Sequence, residues 1–399
     1  MIISCSRQRF FTAFAALLVC SISSLGITLS SCSNQTESAK SGEAKPTALP
    51  GEKTSIFTAR TNWAGTYEGT LGERNTVRLR LNIGSGDSTL IGSYYYCRQG
   101  YLLDVRGQCA GDSLTLLEYA QGNTKPATAL FRLVRLGPRT LSGVWQTSRS
   151  QRPLAVRLTC YDGAKPAPNL VASIRYRTEL GEFPVPVVTV PDAGVTRLLR
   201  HEQFTVEQVT GLARAELQAV VTAHQRGESG GYDGPRDYVA SYNANGLLSL
   251  RWYDEMVGAN VTGSTSYLTL DLRTGYPLRV AEEIAPTRRP QFVALCNQLL
   301  RRQIQAYVDS ATQSSPAEAV NDTNTWTDLR SQQMTQEVLT NSDLVLQSTG
   351  IRLPYSVRYE GLSSFETKNL RDVFYVQLPF DLLQPYLLPD SPLQRLKQR

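Results

Sequence analysis

The clearest alternation of apolar and polar positions in the chain lies in the stretch 247–284. Two runs, one ending at Met256 and one from Ser264 to Leu272, show the two-residue period of strands with one buried face. Residues 257–263 separate the runs and are predicted to form a loop, and Arg273-Thr274-Gly275 closes the second run as a turn. The stretch therefore predicts two strands joined by a loop.

Residues 61–163 carry a different repeated pattern, in which a glycine is followed two positions later by an aromatic residue. It occurs as Gly65-Thr66-Tyr67, Gly92-Ser93-Tyr94 and Gly143-Val144-Trp145. Short alternating runs lie between these glycines, with turn residues about every ten positions, which is typical of all-β folds. We expect an all-β domain here, a small antiparallel barrel or sandwich. A barrel of this size is filled by its own side chains or holds one small ligand, and the sequence leaves both open.

Residues 170–395 mix strand and helix patterns. Thr205 and Gln208 have capping-box spacing and open a helix that the apolar period extends to about His224. A second helix begins near Pro290 and ends near Val308, and strands are predicted on both sides of it. This order favours an α+β domain in which two main helices pack on an antiparallel sheet, rather than strict βαβ alternation.

The N-terminus has the features of an export signal. Arg7 and Arg9 precede an apolar run that ends in Leu29-Ser30-Ser31-Cys32. Leu-Ser-Ser-Cys looks like a bacterial lipobox, so we expect a signal peptide at 1–31, a lipid on Cys32 and a flexible polar tether at 32–60. The alternative is an uncleaved membrane anchor, for which the serines make the run weakly apolar. Asn34 favours the periplasmic face of the outer membrane.

Charge and cysteine content narrow the functional classes. Removal of residues 1–31 leaves 39 basic and 35 acidic residues, without a basic block, which argues against nucleic-acid binding. An exported protein can form disulfides, and Cys97 and Cys109 flank a predicted hairpin, so they are the first candidates for a disulfide, with Cys160 as the rival partner. Cys296 is expected to be a buried free thiol.

Three segments carry a resemblance to a known family. They are Tyr267–Gly275 with Leu278, then Gly350–Tyr359, then Val376–Phe380 with the leucines that follow. In this order they resemble an extracytoplasmic domain of unknown general function, found in RsiV-type anti-sigma factors and beside the catalytic domain of PdaC-type peptidoglycan deacetylases. The resemblance covers residues 170–395, and its most specific part is the turn formed by Asp271, Leu272, Thr274 and Gly275.

The chain departs from that family in the loop before this turn. The family usually has a Gly-Gly-Ala-His-type loop, and here the loop reads Val257, Gly258, Ala259, Asn260, Val261, Thr262 and Gly263. The histidine position is Asn260 or a neighbour, so a role that needs an imidazole is in doubt. In its best-understood setting the family's domain binds a protein, lysozyme, outside the cell. The resemblance therefore implies a binding loop at 257–263 and does not imply catalysis.

Direct signs of chemistry are few. The sequence has no nucleophile elbow, zinc signature or phosphate loop, and its two histidines, His201 and His224, fit solvated positions. No catalytic residue, cofactor or metal ligand is predicted. We therefore expect a non-enzymatic, lipid-anchored envelope protein that binds an extracytoplasmic protein or a cell-wall glycan. The alternative is a structural or assembly lipoprotein without a small ligand; an enzyme acting on peptidoglycan is a third class. The oligomeric state is left open.

Overall fold

A computed structural model describes most of the chain after the N-terminal segment. The described residues are 63–83, 89–121, 126–148, 152–167, 169–228, 237–257, 261–314, 323–357, 370 and 373–397. The predicted signal peptide at 1–31, the lipidation of Cys32 and the tether at 32–60 lie outside them. Among the described residues, no helix has both the length and the apolar character needed to cross a membrane.

The N-terminal region is a closed barrel of eight antiparallel strands in chain order. The strands are β1 (Gly65–Leu71), β2 (Asn75–Ile83), β3 (Thr89–Tyr96), β4 (Leu102–Ala110), β5 (Ser113–Ala120), β6 (Ala129–Gly137), β7 (Thr140–Thr147) and β8 (Leu154–Cys160). The barrel closes where β1 pairs with β8, from Tyr67 opposite Cys160 to Leu71 opposite Val156. The barrel alternative of the sequence prediction is therefore confirmed.

Two of the three glycine–aromatic repeats, those at Gly92 and Gly143, have a geometric cause in this barrel. A Cβ at Gly92 would lie 2.0 Å from the Arg80 carbonyl oxygen, and one at Gly143 would lie 1.9 Å from that of Arg132. Neighbouring strands thus approach each other too closely for any side chain at these positions, as expected where a small sheet curls tightly. Tyr94, two residues after Gly92 and on the same strand face, fills the interior instead.

The C-terminal region contains three small antiparallel sheets, where the sequence had predicted one sheet. They are β9 (Ser173–Glu179) with β10 (Phe183–Thr189), then β11 (Asp237–Ala244), β12 (Leu247–Val257) and β13 (Val261–Asp271), and finally β14 (Val345–Gln347), β15 (Gly350–Tyr355) and β16 (Phe374–Pro379). Each sheet is too small to bury its own apolar face and therefore depends on helices or on another sheet.

The helices around these sheets are mostly short. They are α1 (Ala193–Leu198), α2 (Val206–Thr210), α3 (Arg214–Gln225), α4 (Val280–Glu283), α5 (Arg289–Ser314), α6 (Thr323–Ser331), α7 (Gln336–Asn341) and α8 (Phe380–Leu383). A π-helical segment (Leu199–Gln203) continues α1, and short 3₁₀ segments occur at Pro286–Arg288, Gln384–Tyr386 and Pro392–Lys397. The two longest, α5 and α3, correspond to the two predicted helices.

The first predicted helix is correct at its start and wrong in its length. The Thr205 hydroxyl accepts the Gln208 amide at 3.1 Å, which is the predicted cap. The helix then ends at Thr210, because Gly211 has a φ of 70° and stops it as a left-handed C-terminal residue. A new helix, α3, begins at Arg214. The apolar period continues across this break because both helices face the same core.

The barrel's outer wall contacts the C-terminal region through polar and aromatic side chains. Tyr95 points out of the barrel, yet it is fully buried against Leu198 and Tyr276. Its hydroxyl donates to the Thr274 carbonyl at 2.6 Å and accepts from Arg78 at 3.0 Å. Arg78 continues to Asp192, the N-cap of α1, at 2.6 Å. Tyr95 and Arg78 of the barrel therefore both donate hydrogen bonds to acceptors of the C-terminal region.

A buried ion pair lies at the centre of the C-terminal region. The Arg395 guanidinium donates to the Asp271 carboxylate at 2.6 Å, and the two side chains are 0% and 1% exposed. The same carboxylate accepts the Tyr161 hydroxyl at 2.8 Å and the Thr274 hydroxyl at 3.1 Å. One carboxylate thus joins the end of β13, the C-terminal segment and the residue that follows the last barrel strand.

A second buried carboxylate, Glu283, lies close to the same contact. It accepts the Ser391 hydroxyl at 2.6 Å, and the Arg80 guanidinium of the barrel lies 3.8 Å away while also pairing with Glu282. Burial raises the pKa of Glu283 to about 7, although Arg80 and Ser391 oppose the shift. Glu283 therefore releases its proton near neutral pH.

We expect Arg395→Met to lower the free energy of unfolding by about 3–5 kcal/mol, because Asp271 would stay buried without its countercharge. Arg330→Met, at an exposed position on α6, serves as the matched control and should change stability by no more than about 0.5 kcal/mol. Urea unfolding followed by circular dichroism measures both. A loss below about 1 kcal/mol for Arg395→Met would show that the ion pair contributes little net stability.

We also expect a pH dependence of stability that comes from Glu283. Its folded-state pKa of about 7 lies above the unfolded value of 4.5, so the folded state binds the proton more tightly. The resulting stability is fully present below pH 4.5 and is lost as the pH rises through 7. Relative to wild type, Glu283→Gln should therefore gain about 3 kcal/mol between pH 4.5 and 8.

Urea unfolding of both proteins across this pH range measures the difference. The exposed Glu228→Gln is the control and should run parallel to wild type. A Glu283→Gln curve that also runs parallel to wild type would contradict the assignment.

Candidate functional site

A cleft of about 540 Å³ opens on the outer wall of the barrel, where the barrel meets the C-terminal region. We call it the junction cleft. Its walls come from β1, β2, β8, the β6–β7 turn, the segment after β8 and the turn after β13. Its lining residues are Glu68, Gly69, Thr70, Thr76, Arg139, Thr159, Cys160, Tyr161, Asp162, Lys165 and Arg273. Its volume falls within the range of small-molecule sites.

Strand alternation explains the polar wall of the junction cleft. In β1, Tyr67 and Leu71 point into the barrel, so Glu68 and Thr70 point outward. Thr70 lies opposite Thr76 on β2, and Glu68 lies opposite Thr159 on β8. Three hydroxyl groups and a carboxylate are therefore presented on adjacent strands of one rigid wall.

Three cationic side chains complete the lining. The Arg273 guanidinium donates to the carbonyl oxygens of Asp162 and Lys165 at 3.1 and 3.3 Å and stacks on the Tyr161 ring, 4.7 Å from its centroid. Arg139 makes one long hydrogen bond, 3.4 Å, to the Cys160 carbonyl. Among the described residues, no carboxylate lies within 4 Å of either guanidinium. Both arginines can therefore pair with an anion.

The two acids of the junction cleft are already engaged. Glu68 accepts from Arg78 at 3.1 Å, and Asp162 lies 3.9 Å from the exposed Lys165 ammonium. Since these carboxylates face cations of the protein itself, Arg139 and Arg273 set the charge preference of the cleft. The arrangement suits a ligand that carries both hydroxyl groups and a carboxylate.

The thiol and phenol of the junction cleft are poorly suited to nucleophilic chemistry. Burial raises the pKa of the Cys160 thiol, Asp390 and Asp162 raise it further, and Arg139 only partly opposes them. Burial, with the charge of Asp271, also raises the pKa of Tyr161. Both groups are therefore protonated at neutral pH, and a neutral thiol is a weak nucleophile.

The predicted family-motif turn lies directly beneath the junction cleft. Asp271 accepts the Arg273 and Gly275 amides at 3.1 and 2.7 Å, and Leu272 is buried in the core. Gly275 has a φ of 77°, and a Cβ there would lie 2.8 Å from the Leu198 side chain. The four motif residues thus shape the turn. Arg273, at the position that the motif leaves variable, reaches into the junction cleft.

The predicted binding loop is shorter than the sequence suggested. Val257 belongs to β12 and pairs with Val261, and Gly263 belongs to β13 and pairs with Glu255. The interpretation of 257–263 as a loop is therefore wrong at both ends, because the two strands continue beyond their apolar positions. Gly258, Ala259 and Asn260 lie outside the described residues. Along β13 this hairpin end is roughly 33 Å from Asp271, so the two predicted features do not form one site.

The predicted disulfide between Cys97 and Cys109 is absent: both thiols, like those of Cys160 and Cys296, are free. Cys97 follows β3, next to the start of β4 at Leu102, whereas Cys109 lies at the far end of β4. The strand from Leu102 to Cys109 is seven residue steps long and spans roughly 23 Å, but a disulfide needs Cα atoms within about 7 Å. The cysteines flank a strand rather than a hairpin.

The other predictions about cysteines have different outcomes. Cys296 is a buried free thiol, as predicted. Cys32, the predicted lipidation site, lies outside the described residues. Sequence reasoning missed Arg139, Lys165 and Arg273, although the position of Arg273 inside the family-motif turn was a usable signal. No sequence signal marked Arg139 or Lys165, because only barrel closure and the path of the segment after β8 bring these two residues to the junction cleft.

Because the four described thiols are free, we expect reductant to leave the melting temperature unchanged within about 1 °C. Differential scanning calorimetry with and without a phosphine reductant measures this. Cys97→Ser is the paired variant and should also give the same melting temperature with and without reductant. A fall of several degrees in the wild type alone would reveal a stabilising disulfide.

Comparison with known proteins gives one structural match of interest. No protein-family model matches the chain. No curated protein matches it either. A crystal structure of a member of the DUF3298 family from Bacteroides fragilis is similar over 59% of this chain and 100% of its own chain, with 12% sequence identity and a TM-score of 0.31. A likeness at this level carries no inference about ligand or activity.

Proposed function

We propose that the chain is a non-enzymatic lipoprotein of the bacterial cell envelope, and that its junction cleft binds a carboxylate-bearing cell-wall glycan. Lipid attachment at Cys32 and a position on the periplasmic face of the outer membrane follow from the N-terminal sequence. We infer the class of ligand from one observation: Arg139 and Arg273 lie beside three threonine hydroxyls in the same cleft. A guanidinium binds a carboxylate with charge-assisted hydrogen bonds, and hydroxyls suit sugar hydroxyls.

Muramic acid whose stem peptide has been removed supplies this combination, because its lactyl group then carries a free carboxylate on a sugar ring. The lining of the junction cleft is polar and partly exposed, which disfavours an apolar ligand. A binding role is supported further by the raised pKa of the Cys160 thiol, which leaves the cleft without an activated nucleophile.

A protein ligand is the second candidate, and it rests on a different surface. Tyr176 and Tyr253 are 52% and 40% exposed, on β9 and β12, and exposed tyrosine is frequent at the centre of protein interfaces. The resemblance to the extracytoplasmic domain of RsiV-type proteins favours the same class. The assembly alternative calls for a broad apolar patch. On the outer barrel wall, however, Arg106 separates the exposed Ile91 and Leu117.

We expect the purified full chain to bind a muramic-acid-containing disaccharide more tightly than an N-acetylglucosamine disaccharide, which lacks the carboxylate. Arg139→Gln should weaken the first interaction about tenfold by removing one charge-assisted contact. Isothermal titration calorimetry measures both. Arg132→Gln, on β6 and outside the cleft, is the matched control and should leave the affinity unchanged.

Three outcomes would overturn this proposal. Absence of saturable binding to either disaccharide would remove the glycan ligand. Saturable capture of lysozyme by the same protein, with no glycan binding, would move the function to the protein candidate. Hydrolysis of purified muropeptides would show that the chain is an enzyme.

A further inference from the structure

The two arginines of the junction cleft are held very differently. The Arg273 guanidinium donates to the carbonyl oxygens of Asp162 and Lys165 at 3.1 and 3.3 Å, and its Cζ lies 4.7 Å from the centroid of the Tyr161 ring. The hydrogen bond that holds the exposed Arg139 is longer, 3.4 Å. Arg273 is therefore fixed before a ligand binds, whereas the ligand must order Arg139 at a cost in side-chain entropy.

The hydrogen bonds of the Arg273 side chain leave one edge of its guanidinium for a ligand. Both bonds use the same nitrogen, Nη1. Among the described residues, no hydrogen bond uses Nε or Nη2, and these two nitrogens direct parallel N–H bonds from the other edge. We call this edge the arginine fork. Two parallel donors match the two oxygens of a carboxylate, and such paired hydrogen bonds add specificity as well as energy.

The aromatic ring beneath the arginine fork is itself fixed at both ends. Tyr161 is 8% exposed, its backbone amide donates to the Thr66 carbonyl at 2.7 Å, and its hydroxyl donates to Asp271 Oδ2 at 2.8 Å. The other carboxylate oxygen of Asp271 accepts the backbone amide of Arg273 at 3.1 Å. One buried carboxylate therefore positions both the ring and the main chain of the arginine that stacks on it.

The C-terminal end of the chain supports this arrangement from outside the cleft. A Cβ at Gly163 would overlap the Asp390 carbonyl oxygen and lie 2.9 Å from Pro392 Cδ, so the C-terminal end packs directly on the segment that holds the guanidinium. Arg395, in the same end, donates to Asp271 at 2.6 Å. Among the described residues that line the junction cleft, none comes from this end. It therefore acts on the arginine fork only through the residues that position it.

We propose that the arginine fork binds the carboxylate of the ligand through two parallel hydrogen bonds and sets the specificity of the junction cleft, with Tyr161 as its positioning residue. Arg139 adds positive charge without a fixed geometry. The identity of the glycan rests on the proposed function, whereas the fork binds the same group on a simple carboxylic acid. A lysine, which is a point charge without a fork, therefore replaces Arg139 but not Arg273.

Paired lysine substitutions test whether geometry or charge sets the specificity. Arg273→Lys keeps the charge and removes the fork, so the affinity for a muramic-acid disaccharide with a free lactyl carboxylate should fall at least about tenfold. Arg139→Lys is the matched control and should change this affinity less than about threefold, because lysine supplies the same charge at an exposed position. Isothermal titration calorimetry of the full chain measures both.

A second measurement uses D-lactate, a simple carboxylic acid, with uncharged lactamide as its control. The Nε–H magnetic resonance signal of Arg273, assigned by its loss in Arg273→Lys, should shift saturably with D-lactate and stay in place with lactamide. Tyr161→Leu removes the stacked ring and should weaken D-lactate binding at least about tenfold. Tyr161→Phe keeps the ring and loses only the hydroxyl, so its loss should be smaller.

The contradicting results separate the fork from the proposed function. Equal losses in the two lysine variants would show that charge alone sets the specificity, and an Nε–H signal that D-lactate leaves unmoved would remove the fork. If Tyr161→Leu costs as much disaccharide affinity in the Arg273→Lys protein as in wild type, the ring contacts the ligand directly and does not act through the fork.

The two ligands distinguish the remaining cases. Binding of D-lactate at the fork without binding of the disaccharide would keep the fork and remove the glycan of the proposed function. Disaccharide binding that Arg273→Lys leaves unchanged would keep the proposed function and overturn the fork. Absence of binding for both ligands would overturn both.

Discussion

The buried ion pair between Arg395 and Asp271 is the interaction on which the arrangement of the C-terminal region depends. Neither side chain is solvated, so each requires the other to offset the cost of burial. Asp271 also accepts hydrogen bonds from Tyr161 and Thr274, and both of its carboxylate oxygens are used. Its position therefore fixes three separate segments: the end of β13, the C-terminal 3₁₀ segment and the exit from the barrel.

The turn that Asp271 organises also determines how the barrel docks. With Gly275 in a left-handed conformation, the turn presents the Thr274 carbonyl to Tyr95 and directs Arg273 to the junction cleft. Arg78 reaches the cap of α1 from the barrel side. A contact built from directional hydrogen bonds fixes orientation more strictly than apolar packing alone, because misaligned donors would remain buried and unsatisfied.

The outer wall and the interior of the barrel differ in charge and surroundings. In the junction cleft, arginines lie on a polar outer wall beside hydroxyl groups and can pair with an anion. Inside the barrel, Glu118 lies among aromatic side chains and accepts hydrogen bonds from Tyr94 and Trp145. Strands form much of the wall of the junction cleft, so ligand binding there would require little rearrangement of the backbone.

Sequence reasoning succeeded where local pattern and tertiary packing agree. Alternation in β2 and β5 and the glycines at 92 and 143 indicate a tightly curled antiparallel sheet, and the barrel has these features. Thr205 marks the start of α2, because its hydroxyl accepts the Gln208 amide as the capping pattern predicts. The same reasoning failed for Cys97 and Cys109, because spacing along the chain does not reveal on which side of a strand a turn lies. It also failed at Val257 and Gly263, where backbone pairing extends beyond the apolar positions.

By itself, the sequence determined the elements whose cause is local: strands with one buried face, capped helix starts and turns that need glycine. It also determined the fold class of the two regions. Apolar residues recur every two positions in the barrel, as in strands, and after the barrel stretches with a two-residue period alternate with stretches of the 3.6-residue period of helices. Only the tertiary structure decided the partners of buried charges. Asp271 meets Arg395 across 124 positions of the chain, and Glu118 accepts hydrogen bonds from Tyr94 and Trp145 on other strands of the barrel. Both outcomes depend on contacts between segments that are distant in sequence.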